Sequence, residues 1–107
     1  MKILTKELLK EFEKQGDTSH QKSSKRKVIA KFFNPIGSGA WYAVDYIPET
    51  GIFFGFISLF SDSGKKGYFS IQKLNEDLRP FGLGAERDLH FKPGSYTLKQ
   101  LIDGDRP

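Results

Sequence analysis

Residues 51–60, Gly51-Ile52-Phe53-Phe54-Gly55-Phe56-Ile57-Ser58-Leu59-Phe60, are the longest apolar run in the chain, and turn-forming residues bound them on both sides. A run this short and aromatic, with no regular polar alternation, reads as a central strand buried on both faces. It commits the chain to a sheet and places these phenylalanines in the core.

The sequence around it supplies partners. Val28 to Phe33 and Ala40 to Ile47 are also rich in β-branched and aromatic residues. The turn clusters Asn34-Pro35-Ile36-Gly37-Ser38-Gly39 and Pro48-Glu49-Thr50-Gly51 separate the three runs. This pattern predicts an antiparallel meander. Ser61 to Gly67 reads as another turn, after which Tyr68 and Phe69 begin a fourth strand.

Upstream, Leu4, Leu8, Leu9 and Phe12 share one helical face. Thr5 is a natural N-cap, Gly16 a natural stop, and Leu4 with Leu9 a candidate hydrophobic staple, so residues 5–15 read as an amphipathic helix. Downstream, Ser70 caps a short helix with Ile71, Leu74 and Leu78 on its apolar face, and Pro80 bars continuation past Arg79. Gly82 and Gly84 make a flexible loop into a charged strand. Thr97 caps Leu98 to Ile102, and Gly104 ends that turn of helix. The expected fold is α+β: a small antiparallel meander of three to five strands packed with an N-terminal helix and one or two short C-terminal helices. At 107 residues the chain has room for one core, so residues 1–107 are expected to form one domain. Its parts are helix 5–15, a basic polar linker 17–27, a sheet with an inserted helix 28–92, and helix 97–103.

Ten Phe, four Tyr and one Trp give so small a chain much of its buried apolar surface. There is no cysteine, which excludes disulfides and thiolate zinc sites, leaves His, Asp and Glu as metal ligands, and is compatible with a reducing cytoplasm. The first residues lack the apolar stretch of a secretory signal, and no run approaches the roughly 20 apolar residues of a membrane span. A soluble, cytoplasmic protein without a membrane partner is expected.

The net charge of +4 is localised: residues 17–31 hold Lys22, Lys25, Arg26, Lys27 and Lys31 against Asp17 alone. Such a patch attracts phosphates or an acidic surface, and equally suits a solvated polar loop. Trp41-Tyr42 lies near it in sequence, so basic and aromatic residues are interleaved as a nucleic-acid surface requires, although an aromatic on a sheet is more often core. Lys65 and Lys66, between two glycines in the expected turn, are further candidate phosphate contacts.

The second charged feature is Glu86-Arg87-Asp88-Leu89-His90. In an extended strand Glu86, Asp88 and His90 share one face and Arg87, Leu89 and Phe91 the other. Two carboxylates and an imidazole suit a divalent cation. Positions two apart on a strand are about 6.5–7 Å apart, so a metal would also need a ligand such as Asp45 or His20. The competing use is structural, with the carboxylates paired to Arg87, Arg79 or a lysine, or capping a turn. Catalytic templates are otherwise missing: there is no phosphate-binding glycine loop, no His-Glu-x-x-His helix and no Gly-x-Ser-x-Gly elbow. No cofactor is expected.

Taken together, Lys31-Phe32-Phe33-Asn34-Pro35, Ala40-Trp41-Tyr42, Gly51-Ile52-Phe53-Phe54-Gly55, Gly67-Tyr68-Phe69-Ser70 and Gly84-Ala85-Glu86-Arg87-Asp88-Leu89-His90-Phe91 resemble the domain of unknown function 2958 family. The resemblance runs from Leu4-Thr5 to about Lys92 and leaves out residues 17–27, so the basic linker reads as particular to this chain. It implies a small accessory protein of mobile DNA, carried by phages or plasmids, and it implies no reaction.

Three functions compete. The first is a non-enzymatic binding module that contacts nucleic acid or a nucleoprotein through Lys22, Lys25, Arg26, Lys27 and Lys31, with Trp41, Tyr42, Lys65, Lys66 and Arg87 as further contacts. The second is a counter-defence inhibitor of a host immune protein; the positive net charge opposes broad DNA mimicry. The third is a metal-dependent nuclease or hydrolase using Glu86, Asp88 and His90, with Arg87 or Lys92 stabilising phosphate charge.

Overall fold

The computed structural model describes residues 4–35, 37–59, 63–78 and 84–107. Helix α1 (Lys6–Gln15) begins at Thr5, whose hydroxyl accepts from Leu8 N at 3.2 Å, and ends at Gly16, where φ is +70°. Leu8 and Phe12 are its buried residues. Among the described residues seven strands follow: β1 (Lys27–Val28), β2 (Ala30–Phe33), β3 (Ala40–Ile47), β4 (Ile52–Ser58), β5 (Lys65–Ser70), β6 (Glu86–Arg87) and β7 (Tyr96–Thr97). Helix α2 (Ile71–Leu78) follows β5, and α3 (Leu98–Ile102) follows β7.

The main sheet has the order β5-β4-β3-β2-β6 and every pairing in it is antiparallel. β1 and β7 form a second, two-stranded sheet. The fold is the expected α+β arrangement. The run predicted as one strand, Val28 to Phe33, is divided between the two sheets, with Ile29 N donating to Ala43 O at 2.8 Å at the crossing.

Each face of the main sheet carries its own core. On the α1 side Phe12, Phe32, Phe53 and Phe69 pack with Trp41, and the Phe53 ring stacks on Phe69 at 5.4 Å. On the other side Val28, Tyr42, Val44 and Phe56 pack with Leu98 and Leu101 of α3. The apolar run of β4 thus feeds both cores, Phe53 to one and Phe56 to the other. Gly55 serves a close approach, since a Cβ there would land on the carbonyl oxygen of Tyr42.

Among the described residues the main sheet's register shifts at one place. Between Ala43 and Asp45 the β3–β4 register shifts, so Ala43 faces Gly55, Asp45 faces Phe54, and Val44 is the extra residue of a β-bulge. The bulge carries Asp45 off the face of Trp41 and Ala43 and sets it in a row with Phe54 and Tyr68.

Ser70 accepts from Lys73 N at the start of α2, and Thr97 forms a reciprocal capping box with Gln100 at the start of α3. Two local expectations change. Lys65 and Lys66 belong to β5, opposite Ile57 and Phe56, rather than to the preceding turn. The charged strand is only Glu86–Arg87, because the Asp88 carboxylate accepts from His90 N at 2.9 Å and turns the chain out of the sheet. The Leu78 side chain, Arg79, Pro80, Gly82, Phe60 and the Ser61-Asp62 part of the turn lie outside the described residues.

Candidate functional site

Arg26 organises the most built polar site among the described residues. Its Nε donates to Thr18 Oγ1 at 2.8 Å and its Nη2 to Asp45 Oδ2 at 3.0 Å, while Thr18 Oγ1 donates to Asp45 Oδ1 at 2.7 Å. Both side chains of the ion pair are about nine-tenths buried, at 9% and 11% exposure. The guanidinium lies over the Phe54 ring at 4.7 Å, and Phe54 in turn meets Tyr68 edge to face. Residues 17–27 are therefore not a simple solvated linker: Thr18 and Arg26 are buried and fasten the segment to the β3 bulge. Gln15 adds a second fastening, its amide donating to Lys27 O and Val44 O, both at 2.9 Å.

Beside this ion pair a groove of about 960 Å³ opens, walled by Leu9 and Phe12 of α1, Tyr46 and Ile47 of β3, Phe54 of β4 and Tyr68 of β5. Among the described residues the exposed large apolar side chains are Leu9, Ile47, Tyr68, Leu89 and Ile102, and the first three all open on this groove. Its rim is acidic, with Glu13, Asp17 and Glu49 in the lining. The Asp17 carboxyl is held below its ordinary value of 3.8, first by the hydrogen bond it accepts from Ser19 N, with the charges of His20 and Arg26 helping. Nothing in the sequence pattern announced this groove, because its residues come from four separate elements.

The other exposed surface of the 17–27 segment is basic. Lys22, Lys25 and Lys27 are exposed. Their backbone is tied to the start of α3: Leu98 N donates to Arg26 O at 2.8 Å and Lys99 N to Ser23 O at 3.1 Å. Lys27 pairs with Thr97 across the small sheet, and exposed Lys92 and Lys99 lie on the adjoining stretch, Lys99 bonded to Asp103 at 2.7 Å.

The remaining sequence candidates are dispersed. Arg26 turns inward to Asp45 and does not join the basic surface. Trp41 and Tyr42 are 6% and 2% exposed, so neither offers a stacking platform; each side chain packs into one of the two cores. Burial pushes the Tyr42 phenol up from 10.0, and its hydroxyl donates to Pro107 O at 3.1 Å. Lys31 is engaged rather than free, 5.9 Å from the Tyr42 ring centroid and 3.7 Å from Asp88 Oδ2. Lys65 and Lys66 are exposed on the edge strand β5, where lysines discourage edge-to-edge pairing. Arg87 pairs by backbone with Phe32, and its buried Nε has no hydrogen-bond partner among the described residues.

Glu86, Asp88 and His90 do not form one row, because the strand stops at Arg87. Asp88 instead caps a turn and pairs with Lys31. Asp45 is committed to Arg26 and Thr18, and His20 is exposed. Among the described residues no three His, Asp or Glu side chains are grouped to hold a metal ion. No helix among them is long and apolar enough to cross a membrane.

Comparison with curated proteins and with solved structures found no match. A family model described as protein of unknown function (DUF2958) matches residues 3–103, and so takes in both the 17–27 segment and α3, which the resemblance read from the sequence had left out. With nearly the whole length matched, together with the strands, the bulge region and the Glu86-Arg87-Asp88 turn, this chain belongs to the DUF2958 family.

Proposed function

We propose that the protein is a non-enzymatic binding module that holds nucleic acid or a nucleoprotein by its phosphates, as a small accessory protein of a mobile element. The observation that carries this reading is the exposure of Lys22, Lys25 and Lys27 along one backbone segment held in place by the buried Arg26 and by α3. With Trp41 and Tyr42 in the core, stacking on bases plays no part in it, and binding is independent of sequence. The metal-dependent hydrolase is not carried forward, because Asp88 is already used by a turn and by Lys31.

The test is fluorescence anisotropy with duplex and single-stranded probes over a salt series. Three phosphate contacts give a slope of log affinity on log salt of about −2.7 on duplex DNA, or about a 40-fold loss between about 50 and 200 mM salt. Exchanging Lys22, Lys25 and Lys27 for Glu should abolish binding. Affinity that ignores salt, or that survives this exchange, would sink the proposal.

A further inference from the structure

The groove beside Arg26 calls for a different ligand from the lysine surface. Its walls are apolar and aromatic, and three exposed apolar side chains that would each cost little alone converge there. The apolar opening is held by a helix, the end of a hairpin and an edge strand, so it is pre-formed. At its floor the Arg26 charge is met by Asp45, which leaves Glu13, Asp17 and Glu49 uncompensated by any basic residue of the lining. A protein with a net charge of +4 therefore carries a negative mouth between apolar walls.

We infer that this groove docks a segment of a partner protein in which a large apolar side chain is flanked by lysine or arginine. The apolar side chain would be seated among Ile47, Phe54 and Tyr68, which share the sheet face opposite α1, where water is displaced from ring surface. The flanking cations would meet Glu13 and Glu49, and the Tyr68 ring, 66% exposed, offers its face to one of them. The same rim repels phosphate, so nucleic acid is excluded from the groove and the two surfaces can be occupied together. This inference is independent of phosphate binding at the lysines.

The test uses isotope-labelled full-length protein and three synthetic peptides followed by amide NMR shifts: a Lys-Leu-Trp amphipathic peptide, a Glu-Leu-Trp counterpart, and a Lys-Ser counterpart without apolar side chains. Shifts from the first peptide should cluster at Leu9, Ile47 and Tyr68, with affinity about tenfold above the Glu-Leu-Trp peptide, the scale expected from two rim pairs changing from attraction to repulsion, and above the Lys-Ser peptide by the burial it lacks. Exchanging Glu13 and Glu49 for Lys, both at exposed positions, should reverse the preference toward the Glu-Leu-Trp peptide, and Tyr68→Ser should weaken both. Equal binding of the acidic peptide would overturn the charge assignment. No groove shifts with any peptide would overturn docking altogether. Amide shifts at Leu9, Ile47 and Tyr68 on adding duplex DNA without peptide would overturn the exclusion of nucleic acid from the groove. DNA affinity that is unchanged in Tyr68→Ser, a variant that alters no charge, would support two separate surfaces, and its loss there would overturn their separation.

Discussion

Lys25, Arg26 and Lys27 are three basic residues in a row, and they face two ways. Lys25 and Lys27 stand in solvent, while Arg26 is enclosed by Thr18, Asp45 and Phe54. The outward pair is exposed to water, and exposed charges of this kind ordinarily contribute little to folding. The inward residue holds the segment and divides a basic surface from an acidic groove. A guanidinium suits the inward place because its planar fork bonds two partners while its face stacks on a ring, and an ammonium would fill only part of that role.

The sharpest way to break this division is Arg26→Ala. It leaves the Asp45 carboxylate buried without its cation and should cost about 3–5 kcal/mol, read as a lowered urea midpoint. The apolar double exchange, Arg26→Met with Asp45→Leu, should recover most of the loss. If Arg26→Ala unfolds no earlier than the natural protein, the ion pair does not hold the segment.

A smaller effect is expected at α3. Thr97→Ala removes the capping box and should cost about 1 kcal/mol. Because Leu98 N and Lys99 N bond the basic segment, their amide exchange should accelerate first. Thr18 N, bonded to Asp45 on the groove side, should stay protected. Equal acceleration at all three would mean that the two sides move as one unit.

Much of the scaffold is legible in the sequence, since caps and alternation are local. Thr5, Ser70 and Thr97 cap where a short polar residue precedes an apolar helical face, and the aromatic runs become β2, β3 and β4. The candidate site is less legible because its determinants are not local. Regular alternation would set Asp45 on the same face as Trp41 and Ala43, and only the extra residue Val44 carries it toward Arg26. The inward turn of Arg26 depends on that placement, so a count of basic residues could not separate it from Lys25 and Lys27. The charged strand is shorter than alternation predicts because the Asp88 carboxylate accepts from His90 N, a choice that alternation does not encode.

Exchanging the exposed Lys22, Lys25 and Lys27 for Glu tests the outward side. Stability should remain within about 0.5 kcal/mol, as for surface positions outside any network. Salt-dependent DNA binding should disappear in the same variant. A large stability loss would show that the lysines support the fold, and would erase the contrast with Arg26.

The smallest expected effect is at Asp17, which sits on the groove rim immediately before buried Thr18. Its carboxylate is fully exposed, and the backbone amide of Ser19 is the main cause of its lowered pKa. The unfolded value is near 3.8, so the charged form contributes its full stability above that pH, and the contribution is lost as pH falls through the lower folded value. Asp17→Asn keeps an acceptor for Ser19 N but removes the titration. The acid limb of its stability curve below pH 3.8 should therefore be slightly shallower than that of the natural protein, with the difference shrinking at high salt. Superimposable acid limbs would mean that the Ser19 bond does not discriminate between the charged and neutral carboxyl, and the rim would then lose its strongest argument for staying anionic as pH falls.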